Sequence, residues 1–181
     1  MSISDKLKNK IQKITHLILD VDGVLTDGRI IYDDAGRELK CFDVKDGHGM
    51  KLLMRSGIDI ILLTGRSSKV VEYRAKDLGI DEVYQGAKNK IQFYEQILSR
   101  KNLKECQTAC MGDDLTDIPI LRRAGFSAAP ADASEYARRA VDYVTNKNGG
   151  YGAVREICEL ILQVQNKWDE VVARYSIEAH G

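Results

Sequence analysis

Two aspartates one residue apart, Asp20 and Asp22, close an apolar run, and the acidic cluster Gly112-Asp113-Asp114-Leu115-Thr116-Asp117 closes another. On an extended strand, residues two apart point the same way. Two carboxylates so placed at the mouth of a low-dielectric core repel unless a cation compensates them. An oxygen-only ligand set suits a hard cation such as Mg²⁺, and Asp113 and Asp117 offer further oxygens. Thr64 and Gly65, followed by Arg66, present a hydroxyl and N–H groups to an oxyanion at a strand-to-helix junction. Lys90 adds a point charge suited to phosphate. A carboxylate nucleophile, a second carboxyl as acid and base, a divalent cation and cationic or hydroxyl groups around the equatorial oxygens make a phosphoryl-transfer site. No Gly-rich loop ending in Gly-Lys-Ser/Thr occurs, which argues against an NTP-binding enzyme of that type. Taken singly, each feature has a bland reading: an exposed turn, a helix-capping Thr, a solvated Lys. Their weight lies in their order along the chain.

That order is set by the elements that carry them. Apolar runs read as strands at 16–21, 58–64, 81–86 and 107–113, each ending at or before one of the clusters. Amphipathic segments between them read as helices at about 46–55, 67–78 and 88–102, with Gly57 and Gly79 as stops. A further helix is expected over LTDIPILRRAG. FSAAP and DYVTN read as brief edge strands around the small helix SEYARRA, and a long final helix is expected from about Gly152 into the 170s. Two strand-like arms around Asp33-Asp34-Ala35-Gly36 predict a β-hairpin flap over about 29–43. Strands alternating with helices imply an α/β fold, a doubly wound, Rossmann-like parallel sheet. In such sheets ligands bind at the carboxyl ends of the strands, where all four clusters fall. One domain over residues 1–181 is expected from the length.

Composition excludes several classes. Lys plus Arg and Asp plus Glu both number 27, so no net basic field draws the chain to nucleic acid or an anionic membrane. Cys41, Cys106, Cys110 and Cys158 lack zinc-site spacing and read as reduced, buried or half-buried thiols. The polar start MSISDKLKNKIQKI has no apolar core of a signal peptide, and no apolar run approaches the ~20 residues of a membrane span. A cytoplasmic enzyme is expected.

LILDVDGVLTDG, LLTGR, Lys90 and MGDDLTD resemble, in order, the four motifs of the haloacid dehalogenase-like hydrolases. The resemblance implies Asp20 as a nucleophile that forms an aspartyl-phosphate, and Asp22 as general acid and then base. It also implies Mg²⁺ held by Asp20, the backbone carbonyl of Asp22, and Asp113, with Asp114 and Asp117 in support. Thr64, Gly65 and Lys90 would bind the phosphate, and Thr64 and Lys90 count with the aspartates among the catalytic residues.

A narrower resemblance covers about residues 10–170. DVDGVLTDG, the hairpin, FDVKDGHGMKLL, LTGRSS, YQGAKNK, GDDLTD and NGGYGAVREICELIL are similar to the family of 3-deoxy-D-manno-octulosonate (Kdo) 8-phosphate phosphatases, which act in lipopolysaccharide sugar synthesis. The resemblance implies a fold without a cap domain and a homotetramer in which the hairpin and neighbouring subunits complete each active site. Sequence agrees on the cap, because a hairpin, a helix and βα units fill the stretches where a lid would be inserted. Substrate contacts carried over are Asp22, Asp43, Val44, Lys45, Asp46, Gly47, Lys51, Arg66, Arg74 and Lys90. Lys51 stands where relatives often carry Arg, and Asp43 where they can carry Asn. His48 reads as a helix-start residue, and Tyr151 and Arg155 as shaping the last helix and its packing onto a neighbour. A phosphatase for another nonulosonate 9-phosphate, of sialic acid or Kdn type, fits the same motifs. A catalytically silent assembly subunit would require loss of Asp20, Asp22 or Asp113, and a phosphomutase would need a cap.

Overall fold

Short apolar runs bounded by glycine or acidic turns become the strands, and the computed structural model describes them within residues 3–175. In chain order the elements are α1 (Asp5–Ile11), β1 (His16–Leu19), β2 (Ile31–Tyr32), β3 (Glu38–Leu39), α2 (Val44–Arg55), β4 (Asp59–Leu63), α3 (Lys69–Leu78), β5 (Glu82–Tyr84) and α4 (Lys90–Lys101). The chain continues through β6 (Thr108–Met111), α5 (Ile118–Leu121), β7 (Phe126–Ala129), α6 (Glu135–Ala140), β8 (Tyr143–Val144), α7 (Ala153–Val164) and α8 (Trp168–Ala173). Six strands form one sheet in the order β5-β4-β1-β6-β7-β8, every pair parallel. From β1 the chain crosses first to β4 on one side and later to β6 on the other. The ends of β1 and β6 therefore flank the topological switch point, where a crevice opens in this class of fold. The strands β2 and β3 pair antiparallel as a separate hairpin.

Burial explains the element types. β1, β4 and β6 are almost wholly buried, because helices cover both faces. The helix α7 buries Ala153, Val154, Ile157, Cys158, Ile161 and Leu162, the i, i+1, i+4, i+5 stripe of an amphipathic helix. It packs on α2.

Several expectations need correction. FSAAP is not an edge strand: β7 lies between β6 and β8 with all four residues buried. Its Ser and Ala residues carry little strand signal, but Asp142 satisfies the Ser127 N–H and hydroxyl from the neighbouring turn. The helix expected over LTDIPILRRAG is only the four residues of α5. The long final helix is broken into α7 and α8, because Asn166 adopts the left-handed region at φ 56° and the Lys167 N–H returns to the Leu162 carbonyl. Cys110 and Cys158 are buried, but Cys41 and Cys106 are exposed, one after β3 and one in a short 3₁₀ turn. The segment SIEAHG, expected to be loose, lies outside the described residues. The helix α1, not anticipated, starts at Ser4, whose hydroxyl accepts from the Leu7 N–H.

Asp46 is also reassigned. It is 1% exposed, and its two carboxylate oxygens accept the N–H groups of Gly152 and Arg155, at 3.2 and 2.7 Å. Burial lifts its carboxyl to about 6 despite those donors. The side chain thus joins α2 to the start of α7, closed off from solvent. Asp46→Ala strands both N–H groups at about 1–3 kcal/mol each, so urea unfolding should register a loss of about 2–6 kcal/mol. A loss below about 1 kcal/mol, the scale of a helix cap, would contradict this role.

Candidate active site

The catalytic candidates lie just beyond the carboxyl ends of the strands. Asp20 follows β1 and extends its pairing, its N–H donating to the Met111 carbonyl at 3.0 Å. Thr64 follows β4, 2% exposed, its N–H bound to the Tyr84 carbonyl. Lys90 opens α4 and is 4% exposed, and the Asp113–Asp117 loop follows β6. All converge on a cleft of about 490 Å³ lined by Asp20, Asp22, Thr64, Gly65, Arg66, Lys88, Lys90, Asp113, Asp114 and Thr116, among others. That volume suits a small organic ligand.

The Lys90 ammonium lies 3.0 Å from Asp20 Oδ1 and 2.5 Å from Asp117 Oδ1. Carboxylate oxygens of Asp20, Asp113 and Asp117 fall within 4.8 Å of one another. Asp117 is not free to act as a ligand in this arrangement. It is fully buried, one oxygen faces Lys90, and the other accepts the N–H groups of Asp113 and Asp114 at 3.2 Å each. It therefore shapes the loop that aims Asp113. Gly23, at φ 85°, gives Asp113 its place: a Cβ there would lie 2.1 Å from Asp113 Oδ2.

One ammonium lies among three carboxylates, and the imbalance shows in the acidities of Asp20 and Asp113. Burial, then Asp117, lifts the Asp20 carboxyl to about 6, with Lys90 only partly offsetting them. Burial, then Asp20 and Asp117, lifts Asp113 to about 7. Burial alone would lower the Lys90 ammonium, but Asp20 and Asp117 outweigh it and raise its affinity for the proton. Asp20 and Asp113 together fit a hard divalent cation, since all their donors are oxygens and the surplus charge is negative.

The Asp22 side chain turns away from this cluster. Its Oδ1 is ion-paired with Lys40 Nζ, and Oδ2 lies 3.7 Å from Arg66 Nε. Glu38 closes the ring, 2.9 Å from Arg66 and 3.4 Å from Lys40. Glu38 and Lys40 come from the hairpin and were not anticipated; their signal, alternating charges on a hairpin arm, is too common to be read alone. The glycine segment near the C-terminus was expected to pack on a neighbour. In the chain itself it lies against the Asp-x-Asp-Gly loop: a Cβ on Gly149 would meet the Gly23 carbonyl oxygen at 1.8 Å.

The substrate candidates divide in two. Asp22, Arg66 and Lys90 line the cleft, whereas Val44, Gly47, Lys51 and Arg74 line a second groove of about 350 Å³ between α2 and α3. Arg74 is held there by Asp77, by the Asp43 carbonyl and over the Phe42 ring at 5.5 Å. The Asp43 carboxylate caps α2 by accepting the N–H groups of Lys45 and Asp46, and Lys45 is exposed. His48 contacts Tyr175 at 3.0 Å.

A sheet with this switch point and these acidic strand ends defines a haloacid dehalogenase-like hydrolase, and a model of that family matches residues 82–157. The chain is 44% identical over 168 residues to the 3-deoxy-D-manno-octulosonate 8-phosphate phosphatase of Salmonella typhi, covering 93% of this chain and 89% of that one. It is 45% identical over 161 residues to the enzyme of the same name from Escherichia coli K12, covering 89% and 86%. The crystal structure of the Moraxella catarrhalis phosphatase with magnesium, phosphate and Kdo has a TM-score of 0.93 and 41% identity, covering 96% of this chain and 99% of that one. The chain belongs to the 3-deoxy-D-manno-octulosonate 8-phosphate phosphatase family.

Proposed function

We propose that this chain is a Mg²⁺-dependent phosphatase that releases Kdo and inorganic phosphate from Kdo 8-phosphate through an aspartyl-phosphate on Asp20. The observation that carries this reading is the convergence of Asp20, Asp22, Thr64, Lys90 and Asp113 on one cleft, in a chain about 44% identical to curated Kdo 8-phosphate phosphatases.

An Asp20 carboxylate oxygen attacks phosphorus, and the P–O bond to the sugar breaks as Asp22 delivers a proton to the leaving oxygen. Asp22 then takes a proton from water as that water attacks phosphorus, which frees Asp20 and phosphate. Lys90 holds Asp20 and neutralises the incoming phosphate, while the Thr64 hydroxyl and the Gly65 N–H bind its remaining oxygens. Mg²⁺, held by Asp20, the Asp22 carbonyl and Asp113, supplies charge neutralisation and orientation of the phosphoryl group when bound.

The sugar-contact residues Val44, Lys51 and Arg74 lie in the second groove, and the hairpin exposes Ile30, Ile31, Tyr32 and Leu39 by 39–58%. Both features support a homotetramer in which neighbouring copies complete each site and bring sugar-binding groups to the phosphate. No described helix is long and apolar enough to cross a membrane, and the reading places the enzyme in the cytoplasm. Phosphate release should be compared on Kdo 8-phosphate, sialic acid 9-phosphate and an aryl phosphate, with and without EDTA. Strong preference for Kdo 8-phosphate, abolished by EDTA, is expected. Equal slow rates on all three would remove the named substrate.

A further inference from the structure

Outside the catalytic cluster, Lys40 has a side chain only 1% exposed. It does not line the cleft. It is nevertheless ion-paired with the side chain of Asp22. Carrying a charge into such a position is costly unless its partners compensate fully. Here the compensation is a closed ring of two acids and two bases: Asp22, Lys40, Glu38 and Arg66. Tyr32 adds its hydroxyl at 3.4 Å from Arg66. Three of these five residues, Tyr32, Glu38 and Lys40, belong to the hairpin.

We infer that Lys40 is a positioning residue for proton transfer: it fixes Asp22 Oδ1, so that Oδ2 is the atom that exchanges protons with the ester oxygen and with water. This rests on the reading of Asp22 as general acid and base. The geometry supplies the asymmetry the role needs. Oδ1 is taken by Lys40, whereas Oδ2 is beyond hydrogen-bonding distance of Arg66 Nε, which itself has no hydrogen-bond partner. Because Lys40 and Glu38 ride on the hairpin, a displaced flap would misaim Asp22 without touching Asp20 or Asp113. The flap therefore sets the geometry of the acid.

An acid is needed only when the leaving group is poor. A primary alkyl phosphate such as Kdo 8-phosphate needs its ester oxygen protonated, whereas p-nitrophenyl phosphate loses a stabilised aryl oxide. kcat/KM reports the steps up to release of that alcohol, and so isolates the acid role from later water attack. A misplacement near 1 Å can cost about 10²-fold. Lys40→Met should accordingly lower kcat/KM for the sugar phosphate by about 10²-fold and lower it for the aryl ester at least about tenfold less. Lys40→Arg should recover part of the loss, because it keeps a cation against Oδ1. Glu38→Gln, which weakens the ring but leaves Lys40, should show the same ester selectivity in smaller measure, and it decides the matter if Lys40→Met does not fold.

Equal losses on the two esters, or none, would overturn the inference. Asp22→Asn separates this failure from failure of the underlying reading. If Asp22→Asn is ester-selective and the Lys40 and Glu38 variants are not, only the positioning role falls. If Asp22→Asn is itself unselective, Asp22 is not the acid and both fall together.

Discussion

Asp20→Asn should abolish phosphate release while raising the melting temperature of the metal-free protein. The rate effect follows from the chemistry: removing a nucleophile from a catalytic unit costs at least about 10⁴-fold. The stability effect follows from the electrostatics. Asp20 is 9% exposed, and burial and Asp117 lift its carboxyl from the usual carboxylate range to about 6. An acid whose folded-state pKa exceeds its unfolded value opposes folding once it is ionised. The penalty is absent below about pH 4 and fully present above about pH 6, where it reaches at most about 3 kcal/mol. A neutral amide removes it and still offers Lys90 an oxygen. Thermal scans in EDTA at pH 8 should therefore favour the variant, and the advantage should shrink as the pH falls through 6. Saturating Mg²⁺ should reverse the order, because a ligand at about 1,000 times its Kd adds about 4.1 kcal/mol to the form that binds it. Wild-type-like hydrolysis by Asp20→Asn would remove Asp20 as nucleophile. An unchanged or lower metal-free melting temperature would contradict the account of the site's charge.

Lys90→Met should be the more damaging substitution to the fold. The Lys90 side chain is 3% exposed, and it lies against Asp117, whose side chain is 0% exposed. Breaking a buried pair by removing one partner costs about 3–5 kcal/mol, most of it from the charge left behind. Here Asp117 would be left facing Asp20 and Asp113 with no cation among them, and hydrolysis should be lost as well. Asp117→Asn in the same chain keeps an oxygen for the Asp113 and Asp114 N–H groups but removes the charge. The double variant should regain about half of the stability and none of the activity. Denaturant unfolding of the single and double variants reads both. A single variant within about 1 kcal/mol of wild type would mean that water reaches Asp117 and that the pair is not buried as described.

The parts legible in the sequence were those in which local chemistry and periodicity agree. Four apolar runs each end in polar groups, and parallel pairing brings those ends to one edge, so the positions of Asp20, Thr64, Lys90 and Asp113 could be foreseen. What escaped depended on contacts distant in sequence. Asp46 sits in a substrate-like motif, yet its partners are more than 100 residues away at Gly152 and Arg155. Lys40 looks like one more hairpin charge until the flap folds over Asp22. FSAAP resembles an edge strand because its side chains are small, and only the topology puts it inside the sheet. The break between α7 and α8 hangs on one left-handed Asn, which polar composition alone does not mark. Asp117 looked like a metal ligand by spacing, but its two hydrogen bonds to the loop and its pair with Lys90 use it up.

The phosphorylated aspartate itself is the most direct point at which to test the account. Wild-type protein turning over Kdo 8-phosphate with Mg²⁺ should be quenched with borohydride, which reduces an acyl phosphate to the alcohol, and its peptides weighed. Conversion of Asp20 to homoserine, seen only with substrate and absent from an EDTA-treated control, is the predicted result. Steady turnover with Asp20 unmodified, or reduction at any other aspartate, would contradict it.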